Sequence, residues 1–270
     1  MKLLIILLIS TGTFGYYHKD VGIPKAARIK EAEEKGIQRI TGGEYTDLGT
    51  YPFFAGLVIA VDMNLTSVCG SSLISNTKLI TAAHCWNDGE NTAMLLEVVL
   101  ASTKLFSGGT RLGTNDVVAH EDFNIDTLQN DIAIITISSV EFDENLKPIN
   151  LPTEQSYVGI QCHVVGFGRT GEGNPVTMAQ KLSHAMTTVI SNEECATIYG
   201  DMITDSLICT SGVDGRGPCG GDSGGPVFYG NEDFVVIGVV SFGAVEGCDA
   251  GYPTSHTRVS AFLQWINEKM

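Results

Sequence analysis

From residue 40 onward, short runs rich in β-branched residues are cut at close intervals by Gly, Asn, Asp and Ser. Ala55-Gly56-Leu57-Val58-Ile59-Ala60-Val61, Leu73 to Thr81, Ile132 to Ile137, Cys162 to Gly168 and Phe234 to Val240 are such runs. A chain patterned this way has no stretch long enough for a core helix, so it must bury its apolar residues between sheets, as a sandwich or as barrels. The 31 glycines against only 8 prolines suit tight turns between strands rather than a low-complexity chain. Helical spacing emerges only at the end. Val259, Phe262, Leu263 and Ile266 recur every three or four residues, and Ser260 is an available cap. The pattern establishes an all-β body with a C-terminal helix, but not the number of sheets.

The first residues differ. Met1-Lys2 followed by Leu3-Leu4-Ile5-Ile6-Leu7-Leu8-Ile9 and then small residues to Gly15 has the form of a secretory signal over 1–15. Secretion places the chain outside the cell, where cysteines pair. Residues 16–39 read as a charged, weakly helical segment with little to bury, a linker or a pro-segment. The first 39 residues hold Lys2, Lys19, Lys25, Arg28, Lys30, Lys35 and Arg39 against Asp20, Glu31, Glu33 and Glu34 alone. The remainder is therefore more acidic than the net −15 of the whole chain. That charge disfavours nucleic acid or an anionic membrane as partner, and no apolar run is long enough to span a bilayer.

Three local patterns carry chemistry. Cys219-Gly220-Gly221-Asp222-Ser223-Gly224-Gly225-Pro226 surrounds a serine with glycines, freeing the backbone to aim the Gly221 and Ser223 N–H groups at one point. Thr81-Ala82-Ala83-His84-Cys85 ends a β-rich run on a histidine that could act as a base. Asn130-Asp131-Ile132-Ala133 sets a carboxylate at the mouth of an apolar strand, where it could orient an imidazole. The seven cysteines include no CxxC, which disfavours a zinc site.

With Ile40-Thr41-Gly42-Gly43 and Ser241-Phe242-Gly243, these motifs resemble the chymotrypsin-type serine endopeptidases over residues 40–270. Val21 to Arg28 further resembles the pro-segments of insect, especially lepidopteran, digestive chymotrypsins. The resemblance implies two six-stranded antiparallel barrels, roughly 40–150 and 151–255, with the site in the cleft between them. It implies Ser223 as nucleophile, His84 as base, Asp131 as its orienter, and Gly221 and Ser223 as oxyanion donors. Cleavage after Arg39 by a trypsin-like protease would free the Ile40 amine to pair with Asp222. The implied disulfides are Cys69–Cys85, Cys195–Cys209 and Cys219–Cys248; Cys162 lacks a partner because Tyr229 stands where one is expected. Gly217 occupies the place of the aspartate in trypsin-type members, and Gly243, Thr254, Ser241 and Phe242 complete the substrate site. The resemblance therefore implies a secreted, monomeric digestive zymogen of the gut lumen, without cofactor or metal. It would cut protein after large apolar residues and be open to protein protease inhibitors. Elastase-like or collagenolytic specificity, and an inactive homologue that only binds, stay open.

Overall fold

A computed structural model describes residues 16–35, 44–153, 156–168, 182–215 and 217–270. The signal sequence and the Arg39–Ile40 junction lie outside the described residues. The chain begins with a helical segment whose main part is α1 (Ile23–Lys35), then β1 (Glu44–Tyr45). Next come β2 (Phe54–Ala60), β3 (Thr66–Leu73), β4 (Lys78–Thr81) and β5 (Leu95–Leu100). β6 (Thr110–Thr114), β7 (Val117–Ala119) and β8 (Ala133–Thr136) follow. The second half holds β9 (Gln161–Gly166), β10 (Ser183–Ile190), α2 (Asn192–Tyr199) and β11 (Leu207–Thr210). β12 (Pro226–Tyr229), β13 (Val235–Phe242), β14 (Thr254–Arg258) and α3 (Leu263–Lys269) complete it.

Both sheets close. In the first, the order is β6-β5-β2-β3-β4-β8-β7, and its two ends are joined covalently through Asn115 and Asp116. In the second, β9 to β14 close by pairing β9 with β10. Pairing is antiparallel throughout both. Two six-stranded barrels thus follow, counting residues 110–119 as one bent strand. Closure leaves neither barrel with a long bare edge.

The barrels exchange their ends. β1 joins the second barrel beside β10 rather than the first, so the division near residue 150 misses this strand. At the other terminus α3 returns to the first barrel, where Trp265 Nε1 donates to Glu121 at 2.7 Å and Phe262 meets His120 edge-on. Between the barrels Phe53, Phe228 and Phe234 pack with ring centroids 4.9–5.6 Å apart, a favourable aromatic spacing.

Three expectations need correction. The run Leu73 to Thr81 is not one strand: Ile74 N–H donates to the Lys78 carbonyl, closing a hairpin turn between β3 and β4. Ser260 does not cap α3, which starts at Leu263 after a tight 3₁₀ turn; the Ser260 side chain is buried in that turn instead. The segment ahead of residue 40 has much to bury. Ala26, Ile29 and Ala32 on one face of α1 are all buried, and Ile29 belongs to the main core. Their spacing of three residues is an apolar stripe that the surrounding charges mask.

Candidate active site

His84 reaches its place because β4 ends at Thr81 and two fully buried alanines continue into a 3₁₀ turn over 83–85. Larger side chains at 82 and 83 would have no room there. The Cys69–Cys85 disulfide ties that turn to β3.

Asp131 arrives from the neighbouring strand, just ahead of β8, whose Ala133 pairs with Thr81 of β4. Asn130 before it is in the left-handed region at φ +56°, a conformation asparagine tolerates, and its amide donates to the Asp122 carbonyl. Asp131 is fully buried and grips His84 twice: Oδ1 accepts the His84 backbone N–H at 2.9 Å, and Oδ2 faces Nδ1 at 2.7 Å. Ser241 Oγ donates to the same Oδ2 at 2.6 Å, and Thr257 Oγ1 donates to the Asp131 carbonyl at 2.7 Å. Burial pushes this carboxyl up, but the charge of His84 and the hydrogen bonds from His84 and Ser241 outweigh it and hold it below the ordinary value. An ionised carboxylate against Nδ1 leaves Nε2 as the ring nitrogen able to take a proton.

Ser223 sits on a succession of tight turns. Asp222 N–H donates to the Cys219 carbonyl, Gly225 N–H to Asp222, and Gly224 N–H to Val240. The Ser223 carbonyl accepts from Gly70, which fixes the turn against β3. Gly224 is required here: its φ is +76°, and a Cβ would lie 2.2 Å from Thr81 Oγ1. Gly221 is also left-handed, at φ +100°.

The Asp222 side chain points away from Ser223 into the protein, accepting the Gly168 N–H at 2.6 Å and the Cys219 N–H at 2.9 Å. Burial raises its pKa to about 6 despite the opposing pull of those amides and of Lys25. Lys25 is near enough for its charge to oppose that rise.

His84 and Ser223 open on one cavity of about 300 Å³. Ser241, Phe242, Gly243, Tyr252 and Thr254 line it, together with the Cys219–Cys248 disulfide. Gly217 lies next to Thr254, whose Oγ1 is 3.9 Å from where a Gly217 Cβ would be. Among the described residues, His84 is the one titratable side chain with charge-bearing nitrogen in this wall. The Cys195–Cys209 disulfide lies apart, linking α2 to β11. Cys162 is free and buried against Tyr157 and Tyr229, whose rings fill the place of a sulfur partner. Cys69, His84 and Cys85 cluster closely enough for a metal, but both sulfurs are spent in the disulfide.

Sequence reasoning misses three contributors. Thr257 has no local signal. Tyr17 and Lys25 come from the segment before residue 40: the Tyr17 ring is 4.7 Å from the His84 ring, and Lys25 is only 3% exposed.

The Trypsin family matches residues 40–266. The chain is 35% identical to a collagenase of Hypoderma lineatum over 85% of this chain and 86% of that protein. It is 36% identical to brachyurin of Leptuca pugilator (84% and 96% covered) and 32% identical to a trypsin of Phaedon cochleariae (92% and 95% covered). The solved structure of HL collagenase superposes with a TM-score of 0.77 at 34% identity, covering 85% of this chain and 98% of that one.

Proposed function

The chain belongs to the trypsin family of serine proteases, and on that premise we propose that it is a secreted zymogen whose mature form cuts protein chains after large apolar residues. The observation that carries this reading is the buried Asp131–His84 pair opening on the same cavity as Ser223.

The chemistry is acyl transfer. Ser223 Oγ attacks the scissile carbonyl carbon while its proton passes to His84 Nε2. Asp131 stabilises the imidazolium that forms. The carbonyl oxygen becomes an anion and is held by the N–H groups of Gly221 and Ser223, worth about 3–4 kcal/mol per donor in comparable sites. His84 then returns the proton to the leaving amine, and water repeats the sequence on the ester.

Substrate backbone adds as a strand beside Ser241, Phe242 and Gly243. The side chain before the scissile bond enters the cavity, where a Lys or Arg would be desolvated without an anion; apolar residues are favoured. Arg39 is the cleavage point for an activating trypsin-like protease, and Ile40 the new terminus. Proteins are the substrates and protein protease inhibitors the natural antagonists. A collagenolytic reading has the support of the Hypoderma lineatum relative, which is named a collagenase.

The test is a panel of chromogenic peptides differing only at the residue before the scissile bond, with native collagen alongside, assayed before and after trypsin treatment. Hydrolysis after Phe, Tyr, Leu or Met that appears on trypsin treatment supports the reading. Strong preference for Arg overturns the specificity, and cleavage of native collagen selects the second reading.

A further inference from the structure

The segment before residue 40 is built into the site rather than hung from it. Tyr17 stands edge-on to the His84 ring, 4.7 Å between centroids, and lines the same cavity as Ser223. The Tyr17 hydroxyl donates to the Val68 carbonyl at 2.7 Å.

Anchors hold Tyr17 there. His18 N–H donates to Asp88 Oδ2 at 2.7 Å. Gly22 packs against Ser67 so closely that a Cβ would lie 1.8 Å from its hydroxyl. Lys25 runs its aliphatic stem over Gly221, and its charge lies close enough to pull the Asp222 carboxyl down. A full turn or more beyond, Glu33 accepts the N–H groups of Leu105 and Phe106 at 2.6 and 2.9 Å and the Ser107 hydroxyl at 2.8 Å.

We propose that residues 16–35 form an inhibitory plug, in which Tyr17 covers the His84 ring beside Ser223 and the helix behind it obstructs the cleft. This rests on the protease reading above. The plug lies against β3 and Gly221, and its Tyr17 and Val21 stand in the wall of the cavity that Ser223 and residues 241–243 share. Its backbone is helical from Tyr17 to Lys35, not the extended form that residues 241–243 accept, so it blocks the site without being a substrate. Residues 16–39 hold no cysteine, so cutting at Arg39 leaves the plug attached by noncovalent contacts alone, and activity appears only as it dissociates.

Full chain cleaved at Arg39, freed of the segment and assayed on a chromogenic peptide should be inhibited by a synthetic peptide spanning 16–35. Tyr17→Ala in that peptide should raise the half-inhibitory concentration about tenfold or more, as loss of both a ring contact and a hydrogen-bond partner implies. No inhibition by the parent peptide at about 1 mM, or equal inhibition by both peptides, overturns the proposal. In uncleavable Arg39→Gln full chain, adding Tyr17→Ala should speed fluorophosphonate labelling of Ser223 about tenfold; an unchanged rate overturns it too. The failures are distinguishable: an enzyme that hydrolyses the peptide yet ignores the plug defeats only this inference, whereas one that hydrolyses nothing defeats the protease reading.

Discussion

Lys25→Met removes the cation near Asp222 while keeping most of the stem that lies over Gly221. Asp222 has a folded pKa of about 6 against an ordinary 3.8, so the folded chain binds its proton more tightly than the unfolded chain does. The sign follows. The group favours the fold most at acid pH, and that advantage drains away as pH rises from about 4 through about 6. Each pH unit across which the folded state holds one extra proton is worth about 1.36 kcal/mol. With the pKa at about 6, the uncleaved chain loses about 1.3 kcal/mol from this group between pH 5 and 7. Without Lys25 the carboxyl rises further. In the limit where it stays protonated to pH 7, the loss over the same interval reaches about 2.7 kcal/mol.

The double difference, about 1.4 kcal/mol, cancels the other acids and any packing change that is independent of pH. For a domain of this size it corresponds to about 3–6 °C in Tm. The assay is thermal unfolding of uncleaved parent and variant at pH 5 and pH 7. The variant should lose about 3–6 °C more than the parent on going from pH 5 to 7. Equal losses in the two proteins, or a smaller loss in the variant, would refute the placement of Lys25 near Asp222.

Two other outcomes are expected. Cys162, whose thiol burial pushes up to about 12, should resist iodoacetamide at pH 8 in the folded protein and react within minutes once unfolded; prompt native labelling would contradict its place beneath Tyr157 and Tyr229. Thr254→Gly should widen the specificity cavity, because its side chain stands 3.8–3.9 Å from the Cβ positions of Gly217 and Gly243. The kcat/KM ratio of Phe over Ala substrates should rise about tenfold, the worth of one or two methylenes, and an unchanged ratio would place the residue outside the pocket.

What the sequence discloses is what is local. Short β-rich runs foretell the all-β body, since period and turn chemistry act over a few residues. The alanines before His84 and the glycines around Ser223 mark their turns for the same reason. Long-range partners are not written that way. Thr257 reaches the Asp131 carbonyl across 126 residues, and any hydroxyl at 257 would look the same in the sequence. The burial of α1 is hidden because its stripe consists of two alanines and an isoleucine among charges, and those charges have assigned partners: Glu33 on backbone amides, Lys25 near Asp222. Composition labels such a helix as solvated, whereas its binding surface is polar.

Asp131 springs from the first barrel, yet Ser241 and Thr257 of the second hold its carboxylate and its carbonyl. The imidazole's anchor is thus also a rivet between the two halves of the molecule. Any slippage of one half on the other would shear that rivet while each barrel kept all its ladder hydrogen bonds. Under gentle heat or denaturant, the enzyme would fall silent before circular dichroism registered the loss of a single strand.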